Sequence, residues 1–193
     1  GDDPGAVDVA SYSAEAASIT VNLAATASVS GSSAGLDKLI GIERVVGTTL
    51  SDSFVGLANG YQLDGYGGTA NMLDLSSVTD RSISADLVAG SVSAGAGAGA
   101  ATMTLSGIQQ MIGGALADTL LGNDADNLFR GGAGNDSLSG GLGNDSLYGD
   151  DGDDTLAGGG GDDLLDGGAG INTADYRAAT NAIHVSILGG STA

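Results

Sequence analysis

From Gly113 onward one apolar position recurs every nine residues: Leu120, Phe129, Leu138, Leu147, Leu156, Leu165 and Ala174. Nine is not a helical period, and it is too long for one alternating strand. It fits a repeated unit of a turn and a short strand that cannot bury its apolar face alone and must stack on its neighbours. The units open at Gly113, Gly122, Gly131, Gly140, Gly149, Gly158 and Gly167. Their sixth slot holds Asp118, Asn127, Asp136, Asp145, Asp154, Asp163 and Asn172. Each unit reads as a six-residue turn and a three-residue strand, with the eighth slot facing inward and its neighbours facing water. Two units close one coil, so the turns at Gly113, Gly131, Gly149 and Gly167 stack on one edge, and those at Gly122, Gly140 and Gly158 on the other. The pattern predicts an all-β, right-handed parallel β-helix (β-roll) solenoid with calcium-binding GGxGxD turns.

The first half carries a looser echo of the second. Leu39 to Gly68 aligns with Leu105 to Gly134 at a constant offset of 66 residues, which matches Asp52 with Asp118, Phe54 with Leu120 and Leu63 with Phe129. The segment from Tyr12 resembles that from Leu75, and a third copy begins at Tyr176. Ile19, Val21 and Leu23 then align with Ile83, Ala85 and Leu87, and with Ile183, Val185 and Ile187, as short alternating strands. Asp8 falls where Asn172 stands, and Glu43 matches Gln109. The expected organisation is 1–112 as degenerate solenoid coils with longer loops, 113–176 as the regular β-roll, and 177–193 as the start of a further coil. The longer loops are placed at Ala24 to Gly35 and Val88 to Ala101. The small-residue run AGSVSAGAGAGAATMT is either a solvent-exposed excursion or a tightly packed outer strand. The stretches at Leu39 and Leu105 either cover an end of the coil stack or are ordinary strands.

Charge gives the turns their chemistry. The chain of 193 residues has 24 acidic and 5 basic residues, a formal charge of -19, 36 glycines and no cysteine. Stacked rows of carboxylates repel unless cations neutralise them. Glycine turns let backbone carbonyls converge while aspartate supplies anionic oxygen, a hard-oxygen set suited to calcium. The candidate metal residues are Asp136, Asp145, Asp154 and Asp163 with Gly131, Gly132, Gly134, Gly140, Gly141, Gly143, Gly149, Gly152, Gly158 and Gly161. Asp118, Asn127 and Asn172 are included at the ends of the block. An ion between stacked turns pairs Asp118 with Asp136, Asp136 with Asp154, and Asp145 with Asp163. The fully specified sites lie between the turns at Gly131 and Gly149 and between those at Gly140 and Gly158. Asn127 and Asn172 offer an amide oxygen without charge and make weaker sites. The cofactor expected is calcium, several ions, about three to six by the number of stacked turns. Without metal, so glycine-rich and acidic a segment behaves as a solvated, low-complexity tail.

Other functions find little support. Lys38, Arg44, Arg81, Arg130 and Arg177 are scattered, so nucleic acid is not an expected partner. There is no run of 18 apolar residues and no membrane span is expected. His184, the single histidine, sits in an alternating strand opposite Ile183 and Val185, and neither a nucleophilic triad nor an HExxH zinc motif can be assembled. Tyr12, Tyr61, Tyr66, Tyr148 and Tyr176 open strands or border turns and read as packing residues. No amino-terminal signal peptide is visible, and the expectation is a fragment from within a longer protein.

The tandem GGAGND, GGLGND and GDDGDD units resemble those of the RTX (repeats-in-toxin) family of secreted bacterial proteins, and GIERVVGTTLSDSF and SGIQQMIGGALADTL resemble the segments that lead into such blocks. The resemblance is specific over Gly113 to Tyr176 and looser upstream. It implies type I secretion by a carboxy-terminal signal, which HVSILGGSTA does not resemble, with repeats unfolded in calcium-poor cytoplasm and folding outside. The expected function is a noncatalytic, calcium-folded structural module of a secreted or cell-surface protein of adhesin or surface-layer type. The expected partners are calcium, the type I secretion machinery, and cell-surface polysaccharide or neighbouring copies in a surface assembly. The alternative is an auxiliary module of an extracellular polysaccharide-modifying enzyme, protease or lipase; such modules in alginate epimerases bind acidic polysaccharide, which a surface of this charge would repel.

Overall fold

The computed structural model describes residues 7–23, 27–31, 35–40, 42–95 and 100–179. Apolar residues alternate over three to six positions at a time, which makes short strands. The chain lays most of them alternately on two facing sheets, and most strands bury one side chain or two.

In the repeat block the alternation is regular. One sheet takes β13 (Thr119–Leu121), β15 (Ser137–Leu142), β17 (Thr155–Gly160) and β19 (Thr173–Ala174). The other takes β12 (Gln110–Ile112), β14 (Leu128–Ala133), β16 (Ser146–Asp151) and β18 (Leu164–Asp166). All of these pair in parallel, and the eighth slots stack as Leu120, Leu138, Leu156 and Ala174 on one sheet and Met111, Phe129, Leu147 and Leu165 on the other. Leu120, Phe129, Leu138, Leu147 and Leu156 are all at most 2% exposed. Burying such a side chain contributes about 1.5–3 kcal/mol. The core thins towards the last coil, where Leu165 is half-buried and Ala174 is exposed.

The first half follows the same plan with fewer glycines. The sheet of β13 continues through β1 (Val9–Ser11), β5 (Arg44–Val46) and β7 (Gln62–Asp64), and the sheet of β12 through β2 (Ile19–Asn22), β6 (Ser53–Val55) and β8 (Met72–Asp74). Val21, Val45, Phe54, Leu63 and Leu73 fill the interior.

Two antiparallel meanders interrupt this parallel stack, where the sequence predicts longer loops. In the first, β2 turns back into β3 (Ser28–Gly31) and again into β4 (Gly35–Lys38). In the second, β9 (Ile83–Asp86) is followed by β10 (Ser91–Ala94) and β11 (Ala101–Ser106). Val29, Val92, Ala94 and Met103 are buried, so of the two readings of the small-residue run the packed strand holds for its described residues. Leu39 and Leu105 likewise belong to these meanders as ordinary core residues. β11 returns to pair with β7, while β9 lies two strands further on, beside β13. The 66-residue echo is therefore structural, with a twist: β5, β6 and β7 have their counterparts β12, β13 and β14 on the opposite sheets. Seven steps along the chain separate each pair of counterparts; two stay within the sheet of β9, β10 and β11 and five cross, and an odd number of crossings exchanges the sheets.

Among the described residues no helix is long and apolar enough to cross a membrane. His184 and the strand expected at Ile183, Val185 and Ile187 lie outside the described residues.

Candidate metal centre

The sixth-slot side chains form two hydrogen-bonded ladders running along the solenoid. On one edge Ile83 N donates to Asp118 Oδ1, Asp118 N to Asp136 Oδ1, Asp136 N to Asp154 Oδ1 and Asp154 N to Asn172 Oδ1, at 2.7–2.8 Å. On the other, Asn127 N donates to Asp145 Oδ1 and Asp145 N to Asp163 Oδ1, at 2.8 and 3.0 Å. Each sixth-slot oxygen from Asp136 onward thus caps the backbone of the turn 18 residues before it, while Asp118 caps Ile83, 35 residues before it. Asp118, Asn127, Asp136, Asp145 and Asp154 are 1–3% exposed.

This second ladder extends into the degenerate half, where its side chains change. Ile19 N donates to Asp52 Oδ1, Asp52 N to Asn71 Oδ1 and Asn71 N to Gln109 Oε1. Asn127 Nδ2 then reaches the Gln109 carbonyl and joins the two stretches. Asp8 N donates to Glu43 Oε2, so the matched pair Glu43 and Gln109 does the same work in both copies.

The turns differ in what satisfies the second oxygen. Asp52 Oδ2 accepts from Thr48 N at 2.6 Å, with the Thr48 hydroxyl adding a bond to Oδ1. Asp118 Oδ2 accepts from Gly114 N at 2.6 Å, and Asn123 N reaches the Asn127 side-chain oxygen. In each case the donor is the second residue of the same turn. Asp136, Asp145 and Asp154 have no such donor, and their buried Oδ2 atoms are left without a hydrogen-bond partner.

Backbone conformation makes the difference. In the turns of Asp136, Asp145 and Asp154 the second slot is Gly132, Gly141 and Asp150, and the fourth is Gly134, Gly143 and Gly152. All six have φ between +70° and +143°, whereas Thr48, Gly114 and Asn123 are not in that region. The left-handed backbone changes the direction of the second amide; glycine adopts it cheaply at five of the six positions, and Asp150 takes it without that freedom. The first-slot glycine serves differently. A Cβ at Gly131, Gly140, Gly149 or Gly158 would overlap Oδ2 of Asp136, Asp145, Asp154 or Asp163, so the carboxylate packs against the bare backbone. Gly161 stacks close on the Gly143 carbonyl in the same way that Gly152 stacks on that of Gly134.

An unpaired carboxylate oxygen in so buried a place is unfavourable by several kcal/mol when ionised. Burial raises the Asp136 carboxyl to about 7, with the neighbouring Asp118, Asp154 and Asp150 charges adding to the effect. Asp118 and Asp145 are raised as well, again first by burial. A row of such groups takes up either protons or cations. Among the described residues no three His, Cys, Asp or Glu side chains converge on one point. A cation here would therefore rely on one carboxylate oxygen at a time, with backbone carbonyls completing the shell, which is within the ligand habits of calcium and outside those of zinc.

Asn71 shows how such a carbonyl set can be filled without metal. Its Nδ2 donates to the Gly65, Gly67 and Gly107 carbonyls at 3.3, 2.5 and 2.8 Å. A neutral amide takes the place where carbonyls of two turns gather. Sequence reading missed Thr48 and Asn71, and matched Gln109 with Glu43 without assigning it to the ladder. A serine or threonine in the second slot, and an amide in the sixth, are the signals that would have found them.

The expected residues separate accordingly. Asp136, Asp145 and Asp154 share one environment. Asp163 is half-buried at the end of its ladder, and Asn172 caps Asp154 N and donates from Nδ2 to the Gly168 carbonyl. Asp118 and Asn127 sit at the right register with their second-slot amides already bonded.

The family model for the RTX calcium-binding nonapeptide repeat matches residues 112–147 and 139–174, about a third of the chain. No curated protein matches the chain. The region with the partnerless carboxylate oxygens is thus the region similar to calcium-binding repeats, and residues 112–174 form a calcium-associated structural repeat.

Proposed function

We propose that Asp136, Asp145 and Asp154 hold calcium through Oδ2, together with carbonyls of the glycine turns around Gly131, Gly132, Gly134, Gly140, Gly141, Gly143, Gly149, Gly152, Gly158 and Gly161. Asp163 contributes at the outer coil, while Asn172 and Asn127 act as neutral ends. Asp118 serves as the structural boundary of the block and not as a full ligand. The observation behind this reading is the row of buried carboxylate oxygens without a donor, confined to turns with left-handed second and fourth slots.

In this reading residues 113–176 close into a right-handed β-roll when calcium removes the carboxylate penalty, and residues 1–112 are a solenoid that needs no ion. The module works outside the cell, where calcium is plentiful, as a noncatalytic spacer and folding driver of a larger secreted or surface protein exported by a type I system. Far-UV circular dichroism with size-exclusion chromatography, titrated from chelator to millimolar calcium against magnesium, tests it. The expected result is a calcium-specific gain of β signal and a smaller hydrodynamic radius; identical traces in chelator and calcium would overturn the assignment.

A further inference from the structure

In the stack of second slots one side chain breaks the run of glycines. Gly132 has φ +106° and Gly168 φ +75°, and between them stands Asp150 with φ +70°. Among the described residues it shares the left-handed region with a single other residue that is not glycine, Tyr66. Asp150 pairs with Gly132 in register, and a Cβ on Gly168 would overlap its carbonyl oxygen, so its backbone is closely packed along the stack. Aspartate holds this conformation less readily than glycine, and something must offset the difference.

Arg130 is placed to do so. It fills the ninth slot of the unit at Gly122, and β14 sets it in register with Tyr148 on β16. Tyr148 and Asp150 are two residues apart on β16 and both half-buried, so one side chain from the neighbouring strand reaches both. The Arg130 guanidinium lies over the Tyr148 ring, 5.2 Å from its centroid. Its Nε donates to Asp150 Oδ2 at 3.0 Å, and its Nη2 donates to Asp150 Oδ1. A planar fork on a carboxylate, with its face against an aromatic ring, fixes the direction of the carboxylate as well as its charge. The other arginines pair elsewhere: Arg44 with Asp64, Arg81 with Asp80 and Arg177 with Asp175.

We propose that Arg130 is a positioning residue for the turn at Gly149: by holding Asp150 left-handed it keeps that residue's amide away from Asp154 Oδ2 and leaves the oxygen free for an ion. The inference rests on the calcium reading given above. In the turns at Gly47 and Gly113 the second-slot residues Thr48 and Gly114 are not left-handed, and their amides close Asp52 and Asp118. Released from Arg130, Asp150 takes the same conformation and its amide closes Asp154 in the same way. The Arg130 side chain is 45% exposed and lies on the strand face, so it acts on the ion only through Asp150. Asp150 stands near enough to Asp136 for its charge to be felt there, so a test must hold net charge constant.

Two double variants with the net charge of wild type separate backbone from charge. In calcium titrations of the full chain followed by circular dichroism, Arg130→Ala should raise the calcium midpoint about fivefold, the usual cost of one left-handed residue. Adding Asp150→Gly should return it to the wild-type value, because glycine takes the slot unaided. Adding Asp150→Ala should leave it raised, since alanine has neither that freedom nor a partner. An unmoved midpoint in Arg130→Ala, or a glycine double variant as weak as the alanine one, overturns the proposal. Should Arg130→Ala fail to fold in saturating calcium, recovery of the β signal on adding Asp150→Gly supports the proposal and its absence overturns it. A wild-type chain without any calcium response overturns the calcium reading and this inference with it; a normal wild-type response with unmoved variants overturns this inference alone.

Discussion

Asp52 and Asp136 occupy the same slot of the same kind of turn, and both cap the backbone of an earlier turn through Oδ1. They part at Oδ2. In GTTLSD the Thr48 amide and hydroxyl close the group from within the turn. In GGAGND the glycines carry the amide away and leave the oxygen bare. In the reading proposed above, the first turn folds without an ion and the second needs calcium. What separates a permanent coil from a conditional one is thus two backbone conformations per turn, while the core, the register and the ladder remain the same.

The largest effect should come from removing what both halves share. Leu147→Asp puts a charge between two sheets where Phe129 and Leu165 are its neighbours along the stack. It should cost more than about 4 kcal/mol and leave the repeat block unfolded at any calcium concentration, read by circular dichroism. Hydrogen exchange in chelator breaks the comparison more finely. Amides of β5 to β8 should stay protected while those of β14 to β17 exchange freely, and calcium should restore the latter. Equal exchange in both halves would mean that the upstream coils do not stand alone.

Next come the carboxylates themselves. Asp136→Ala removes a ligand and should weaken calcium binding by at least about tenfold, the equivalent of 1.4 kcal/mol. Asp118→Ala, in the same ladder, removes a group already bonded by Gly114 N and Ile83 N. It should cost about 1–3 kcal/mol of stability with little change in calcium midpoint. Equal shifts in the two calcium titrations would erase the boundary drawn at Asp118.

Much of this was legible in the residues. The nine-residue recurrence places every inner side chain from Leu120 to Leu165, because a stacked coil has one register in which all of them face inward. The 66-residue offset brings Asp52 onto Asp118 and Glu43 onto Gln109. The meanders were not legible as such: Ser28–Gly31 and Ser91–Ala94 are small, weakly alternating segments whose strand character comes from an available edge and not from their own propensity. Nor could spacing alone reveal that Asp118 is closed and Asp136 open, since both sit in the sixth slot; the fourth slot, Leu116 against Gly134, and φ at the second and fourth slots distinguish them.

Acid offers a subtler way to sharpen the contrast. In the metal-free chain the Asp136 carboxyl is raised to about 7, first by burial and then by the charges of Asp118, Asp154 and Asp150. A raised carboxyl in the folded state contributes stability that is complete below the unfolded value of 3.8 and is lost as pH rises through about 7. In chelator, lowering pH from 8 towards 5 should therefore increase the β signal of the repeat block. In calcium the same change should weaken binding, because protons and calcium compete for one oxygen. A block equally unfolded at both pH values in chelator would show that Asp136 is solvated before metal binds.

The smallest effect tests the permanent half. Thr48→Val keeps the backbone amide on Asp52 Oδ2 and removes the hydroxyl from Oδ1, so one of several bonds to a buried carboxylate is lost. A loss of about 1 kcal/mol in urea denaturation is expected, with the calcium titration unmoved. Should Thr48→Val instead make the upstream half responsive to calcium, the hydroxyl would be the feature that keeps Asp52 from competing for cations. Closure from within the turn would then depend on the side chain more than on the backbone angle.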